Sequence, residues 1–152
     1  MTPRSSIALA LVFLAGCSQS ALKPPAPTAL RVRRTPAEVL QTATRALEAE
    51  GFQVTTSSAA VLSARRVRTA ALQGADVQCR FPTASMAAGV GEATVTVDVH
   101  ASTRGTGSDV QISSSVLMDY SKAIQPYSDM PASATDCVSS GAVEQRVADA
   151  IR

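Results

Sequence analysis

Apolar and polar residues alternate strictly over residues 93–101, and the same period of two returns over residues 110–118. This pattern predicts two strands whose apolar residues share one face of a sheet. Gly105 and Gly107 lie between the two segments, so residues 104–108 are predicted to form a hairpin turn. One apolar and one polar face are typical of an antiparallel sheet that is covered on a single side. The inward residues of the second strand are then Val110, Ile112, Val116 and Met118.

The sequence predicts a helix before these strands, with capping residues at both of its ends. Thr35 is a favourable N-cap, Pro36 takes the first helical position, and Glu38 completes a capping box. Gly51 is suited to the left-handed residue that ends a helix. An apolar stripe at helical spacing lies between these ends and consists of Val39, Leu40, Ala43, Ala46 and Leu47.

Weaker patterns complete the predicted fold. Further strands are expected over residues 30–34, 52–56 and 61–68, with a short one at 77–81, and a final helix over about 140–151. A one-sided sheet needs a cover, which the two helices supply. We therefore expect an α+β fold: a two-layer sandwich with an antiparallel sheet of about four to five strands and an N-terminal and a C-terminal helix on one face.

Two long segments, residues 69–91 and 119–135, are predicted to be loops. They carry most of the bulky side chains outside regular elements: Phe81, Met86, Tyr120, Tyr127 and Met130. The sequence leaves open whether these side chains form an interaction surface or fold over the open end of the sheet.

The first residues have the three parts of a bacterial signal peptide: a basic start with Arg4, a short apolar run over residues 7–14, and small residues before a cysteine. Leu14-Ala15-Gly16-Cys17 resembles the lipobox of bacterial lipoproteins, whereas the alternative is an ordinary secretory signal with a chance cysteine. The resemblance implies removal of residues 1–16 and lipidation of Cys17 by a diacylglycerol and a further acyl chain such as palmitate. Ser18, where Asp would retain such a protein at the inner membrane, implies the periplasmic face of the outer membrane.

The expected organisation follows from this start. Residues 17–29 form a lipidated, Pro-rich tether, because Pro24, Pro25 and Pro27 favour an extended chain. Residues 30–152 form one globular domain. After the signal, no apolar run approaches the roughly 20 residues of a membrane span.

The two remaining cysteines, Cys79 and Cys137, are predicted to form a disulfide, because the implied compartment is oxidising. A metal site and a reactive thiol are the alternatives. Both lack partners, since His100 is the only histidine. We therefore expect no metal site and no cofactor.

The sequence contains two candidate catalytic groups, and each also has a simpler structural explanation. Cys137 and Ser140 precede the last helix, where backbone amides could form an oxyanion hole, but the sequence has no base nearby and therefore favours a disulfide followed by a serine cap. His100 falls on the polar side of its strand, beside Asp98 and opposite Gln111 or a neighbour, as a solvated histidine would. We expect no catalytic residues and no enzymatic activity.

Six arginines could form one basic contact patch if the first strand and the third lie close together. They are Arg31, Arg33, Arg34, Arg65, Arg66 and Arg68. Such a patch could contact lipid headgroups, lipopolysaccharide phosphates or an acidic partner. The alternative is a solvated edge whose charges prevent strand-to-strand aggregation.

The formal net charge of +2 is too small to indicate nucleic-acid binding. The lipobox, the Pro-rich tether, the helix from Thr35 to Gly51, the antiparallel strands and the C-terminal helix together resemble small envelope lipoproteins with a helix-grip-type domain, such as the BamC accessory lipoproteins. This resemblance implies a non-enzymatic accessory or scaffold component of an envelope complex, with an envelope protein as its partner. The alternative is a protein that binds a lipid or another apolar ligand in a cavity between helices and sheet.

Overall fold

The computed structural model describes residues 22–69, 76–80, 92–119 and 136–152. The described elements are, in chain order, β1 (Thr28–Val32), α1 (Pro36–Ala49), β2 (Gln53–Ser57), β3 (Val61–Thr69), β4 (Val77–Arg80), β5 (Glu92–Arg104), β6 (Gly107–Asp119), β7 (Asp136–Ser139) and α2 (Ala142–Ile151). The predicted signal peptide, Cys17 and the five bulky side chains of the long loops lie outside the described residues.

Five of these strands form one antiparallel sheet in the order β1-β6-β5-β3-β2. The β2–β3 and β5–β6 pairs are sequence neighbours, whereas β1 and β2 lie at opposite edges, so α1 crosses the sheet between them. Strands β4 and β7 pair antiparallel as a separate two-stranded ribbon. Both helices pack on the same face of the large sheet, which confirms the predicted two-layer α+β sandwich.

The helix α1 begins and ends as its sequence predicts. The Thr35 backbone N–H donates to the Glu38 carboxylate at 2.8 Å, and the Thr35 hydroxyl accepts from the Glu38 N–H, which together form the capping box. Gly51 has a φ of +80°. The N–H groups of Gly51 and Phe52 donate to Glu48 and Leu47 at 2.9 Å each, which closes the helix as a Schellman motif.

The core consists mainly of small and medium apolar side chains. Strand β5 contributes every second residue, and its apolar face meets the buried stripes of α1 and α2. The fully buried side chains include Leu47, Leu62, Val95, Val97, Val99, Ile112, Val143, Val147 and Ile151. The opposite face of the sheet, which we call the outer face, carries the polar residues of the alternation and faces solvent.

The structure differs from the predicted elements at several places. The hairpin turn contains only Gly105 and Thr106, because Arg104 already pairs with Gly107 and the φ of +58° at Gly105 permits a two-residue turn. The first strand begins at Thr28, two residues before the predicted start. Strand β7 was not predicted, since it occupies residues expected to be loop and helix mouth.

Candidate functional site

The predicted patch of six arginines does not form, because β1 and β3 are not neighbours. Strands β6 and β5 lie between them, which places the two strands about 14 Å apart at the usual spacing. The β1 side and the β3 side of the predicted patch are therefore separate surfaces.

The arginines of β3 lie on opposite faces of the sheet. Arg65 is exposed on the outer face, opposite Thr96. Arg66 lies on the inner face and is only 12% exposed, ion-paired with Asp76. Its Nη1 donates to the Glu50 carbonyl at 2.6 Å, and its guanidinium lies 4.3 Å from the ring centre of Phe52. The contacts of Arg66 are therefore internal, and they stabilise the fold. The Arg68 side chain lies outside the described residues.

Asp76 is the centre of an ionic network that joins both helices, β3 and the ribbon. Its side chain is 6% exposed, and Arg146 of α2 donates to it at 2.7 Å. Arg146 also makes two hydrogen bonds, of 2.7 and 2.6 Å, to the Glu50 carboxylate at the end of α1. Burial alone would raise the pKa of Asp76, but the hydrogen bonds from Arg146 and Arg66 outweigh it and hold the pKa below its usual value. The hydrogen bonds of Arg146 to Glu50 and, second, to Asp76 raise the pKa of Arg146.

The arginines of β1 and the following turn gather instead at the tip of the β5–β6 hairpin. Arg31 Nε lies 3.0 Å from Asp109, and Arg104 of β5 donates to the same carboxylate at 2.8 Å. Gly107 permits this approach, because a Cβ there would overlap the Val32 carbonyl oxygen. We call the resulting cluster the basic tip; it consists of Arg31, Arg33, Arg34 and Arg104.

Two carboxylates lie beside the basic tip. The hydrogen bond from Arg104 is the main cause that lowers the pKa of Asp109, and the charge of Arg31 adds to it. The pKa of Glu38 is lowered first by the Thr35 N–H and hydroxyl and then by the charge of Arg34. Neither carboxylate is fully buried. Both are therefore negative at neutral pH, when the four guanidinium groups are positive.

An open groove of about 510 Å³ lies on the outer face next to β1. His100 is exposed there and pairs in register with Gln111, as the sequence predicted, and with Val61 on its other side. This register places neither a nucleophile nor a carboxylate directly opposite the imidazole. The groove-lining residues are Ala29, Ala60, His100, Ala101, Ser102, Asp109, Val110 and Gln111.

The structure joins Cys79 and Cys137 in a disulfide across the ribbon, where the two residues are direct partners in register. The predicted serine cap of α2 is wrong, because Gly141, with a φ of +83°, takes the N-cap position. The Ser140 hydroxyl instead accepts from the Ala142 N–H at 3.3 Å.

A buried hydrogen-bonded cluster lies beside the start of α2. The Ser139 hydroxyl donates to the Glu144 carboxylate at 3.1 Å and accepts from the Gly141 N–H at 3.1 Å. The Ser114 hydroxyl of β6 donates to the same carboxylate. Glu144 is 2% exposed. These bonds connect the ribbon, α2 and the large sheet, and they occupy the Ser139 hydroxyl.

Sequence reasoning missed Arg104, Asp109, Asp76 and Arg146. Strand alternation alone indicates that Arg66 shares a face with Leu62 and Ala64, so its inward direction could have been predicted. The position of Arg104 beside Arg31 could not be predicted, because it depends on the pairing of β1 with β6, and no local sequence pattern indicates that pairing.

The described residues contain no group of three or more His, Cys, Asp or Glu side chains that could hold a metal ion. None of the helices in the described ranges is long and apolar enough to cross a membrane. No protein-family model matches the chain, and no curated protein matches it significantly.

Proposed function

We propose that this chain is a lipid-anchored lipoprotein on the periplasmic face of the bacterial outer membrane, where it acts as a non-enzymatic accessory or scaffold component of an envelope complex. The observation that carries the proposal is the lipobox Leu14-Ala15-Gly16-Cys17, in register behind a short apolar run. Its acylated cysteine would supply the two or more chains that stable anchoring needs.

The arrangement of the domain supports this proposal. Residues 23–27 are exposed and have no regular secondary structure, as expected of a tether. Pro25 nevertheless lies against α2, since a Cβ on Gly141 would be 3.6 Å from Pro25 Cβ. Pro25 is eight residues after Cys17, so at most about 29 Å of extended chain separates this contact from the anchored residue.

The surface favours binding over catalysis. His100 is exposed beside Gln111, as a solvated histidine is, and the Ser139 hydroxyl is occupied by its hydrogen bonds at the start of α2. The outer face and the basic tip present polar and charged side chains that a partner could contact. Nothing among the described residues favours the alternative, a carrier of an apolar ligand. The groove described above lies on the outer face, and the facing side chains of helix and sheet, such as Val97 and Val147, are fully buried.

Two substitutions test the anchor. Intact mass spectrometry of the mature protein should find an acylated N-terminal cysteine, and Cys17→Ala should remove the lipid and release the protein from outer-membrane fractions. Ser18→Asp should leave the lipid in place and move the protein to the inner membrane. A Cys17→Ala protein that still fractionates with the outer membrane would contradict the anchor.

The scaffold role is tested separately by crosslinking in intact cells followed by purification from solubilised membranes. A defined envelope protein should be crosslinked to the wild type, and the crosslink should weaken when Cys17→Ala releases the chain from the membrane. A protein that stays monomeric and uncrosslinked under these conditions would contradict the role.

A further inference from the structure

The basic tip carries more positive charge than its surroundings neutralise. Four guanidinium groups face two nearby carboxylates, and both of these already accept hydrogen bonds within the domain. Arg31 and Arg104 share the single carboxylate of Asp109, with 71% and 55% of their side chains exposed. Arg33 is also exposed. The tip therefore presents net positive charge to solvent.

Strand β1 gives this charged surface an unpaired backbone edge. It is the first strand of the sheet and pairs on one side with β6, while no strand in the described part of the chain pairs with its other side. Ala29 and Arg31 alternate along it as exposed residues. Such an edge can accept an added strand, whose backbone would satisfy the open N–H and C=O groups.

The positive charge of the basic tip determines which kind of strand can pair with the edge of β1. A second copy of the chain would place its own arginines against the same edge, and like charges across a strand pair are destabilising. An extended segment rich in glutamate or aspartate would meet the arginines with opposite charge. The edge is therefore protected against self-association and complementary to an acidic strand.

The tether and the basic tip lie at different ends of β1. From Val32 back through Thr28 to Pro25, the backbone runs away from the hairpin tip toward the start of α2. If Cys17 carries the lipid, as proposed above, the tip is not at the point where the tether leaves the domain.

We propose that the basic tip and the unpaired edge of β1 form a docking site for an acidic, extended segment of a protein partner. The added strand pairs with β1 through its backbone, and its carboxylates contact Arg31 and Arg33. This inference deepens the scaffold role proposed above and rests on it for the existence of a protein partner.

The test uses the full mature protein in detergent and a fluorescein-labelled peptide in which glutamate and valine alternate. Fluorescence anisotropy should show saturable binding that weakens with added salt, and a peptide alternating lysine and valine should not bind. Arg31→Gln combined with Arg33→Gln removes two exposed ion pairs, so Kd should rise about tenfold. Arg65→Gln, which removes an exposed arginine on another part of the outer face, should change Kd less than about twofold.

A gain of affinity gives a test that misfolding cannot mimic. Asp109→Asn frees Arg31 and Arg104 from their internal partner, so Kd for the acidic peptide should fall about threefold. An unchanged or raised Kd for this variant would overturn the charge assignment. Equal losses in the double variant and in Arg65→Gln would overturn it as well.

A third peptide, with the same alternating glutamate and valine but an N-methyl group on every backbone nitrogen, tests the strand pairing. It has the same charge but no backbone N–H group to donate to β1, so its Kd should be at least about tenfold higher. Equal binding of the two acidic peptides would overturn the edge-pairing inference. Cys17→Ala protein should bind the peptide like the wild type, so a failure of the anchor and a failure of the docking site give different results.

Discussion

Replacing Arg66 with alanine should strongly destabilise the domain, because three contacts depend on this one side chain. Arg66→Ala leaves Asp76, which is 6% exposed, without one of its two arginines and leaves the Glu50 carbonyl without this donor. It also removes the cation from the Phe52 ring. Breaking a buried pair costs about 3–5 kcal/mol. Because Arg146 remains 2.7 Å from Asp76, we expect the lower end of that range, about 3 kcal/mol.

The neighbouring Arg65 provides a matched control. It is exposed on the outer face of the same strand, so Arg65→Ala should change the free energy of unfolding by less than about 0.5 kcal/mol. Urea unfolding followed by circular dichroism measures both variants under the same conditions. Equal losses, or a loss below about 1 kcal/mol for Arg66→Ala, would refute the inward role of Arg66.

Three further results follow from the same contacts. Replacing Cys79 and Cys137 by alanine opens a loop with a sequence separation of 58 residues, and urea unfolding should show a loss of about 4 kcal/mol. Because the folded pKa of Asp76 is lowered, its contribution to stability is present above about pH 4 and is lost as pH falls through the folded pKa. Acid titration of Asp76→Asn should therefore show a weaker pH dependence of unfolding below about pH 4 than the wild type; an unchanged profile would contradict the network. Gly107→Ala places a Cβ onto the Val32 carbonyl oxygen, so its melting temperature should fall with a loss of about 1–3 kcal/mol; an unchanged melting temperature would contradict this packing.

Local signals predicted the parts of the fold that local physics determines. The capping box at Thr35 and the glycine at position 51 define α1 whatever surrounds it, and the alternation over residues 93–101 defines the centre of β5. Both signals arise from interactions within a few residues of one another. They were therefore visible without knowledge of the topology.

Non-local pairing explains what the sequence did not show. Strand β7 has four residues, and its assignment depends on pairing with β4, with which it shares the disulfide. The basic tip depends on β1 lying beside β6 although 74 positions separate hydrogen-bonded Arg34 and Ser108. A sequence pattern gives the period of a strand but not the identity of its neighbours, so the grouping of Arg31 with β3 could not be rejected beforehand.

The polar contacts at the ribbon follow from the composition of the chain. Aromatic residues make up 3% of the sequence, so few large side chains are present to hold a short peripheral ribbon by apolar contact alone. The ribbon contributes only Val77 and Val138 as buried apolar residues. Its attachment therefore requires specific bonds: the disulfide within it, the ion pairs of Asp76 before it, and the hydrogen bonds of Ser139 to Glu144 after it. Burial of a charge is favourable only with a partner. The partner of Asp76 on α2, Arg146, is 70 positions away in sequence, so no local pattern indicates that Asp76 is buried.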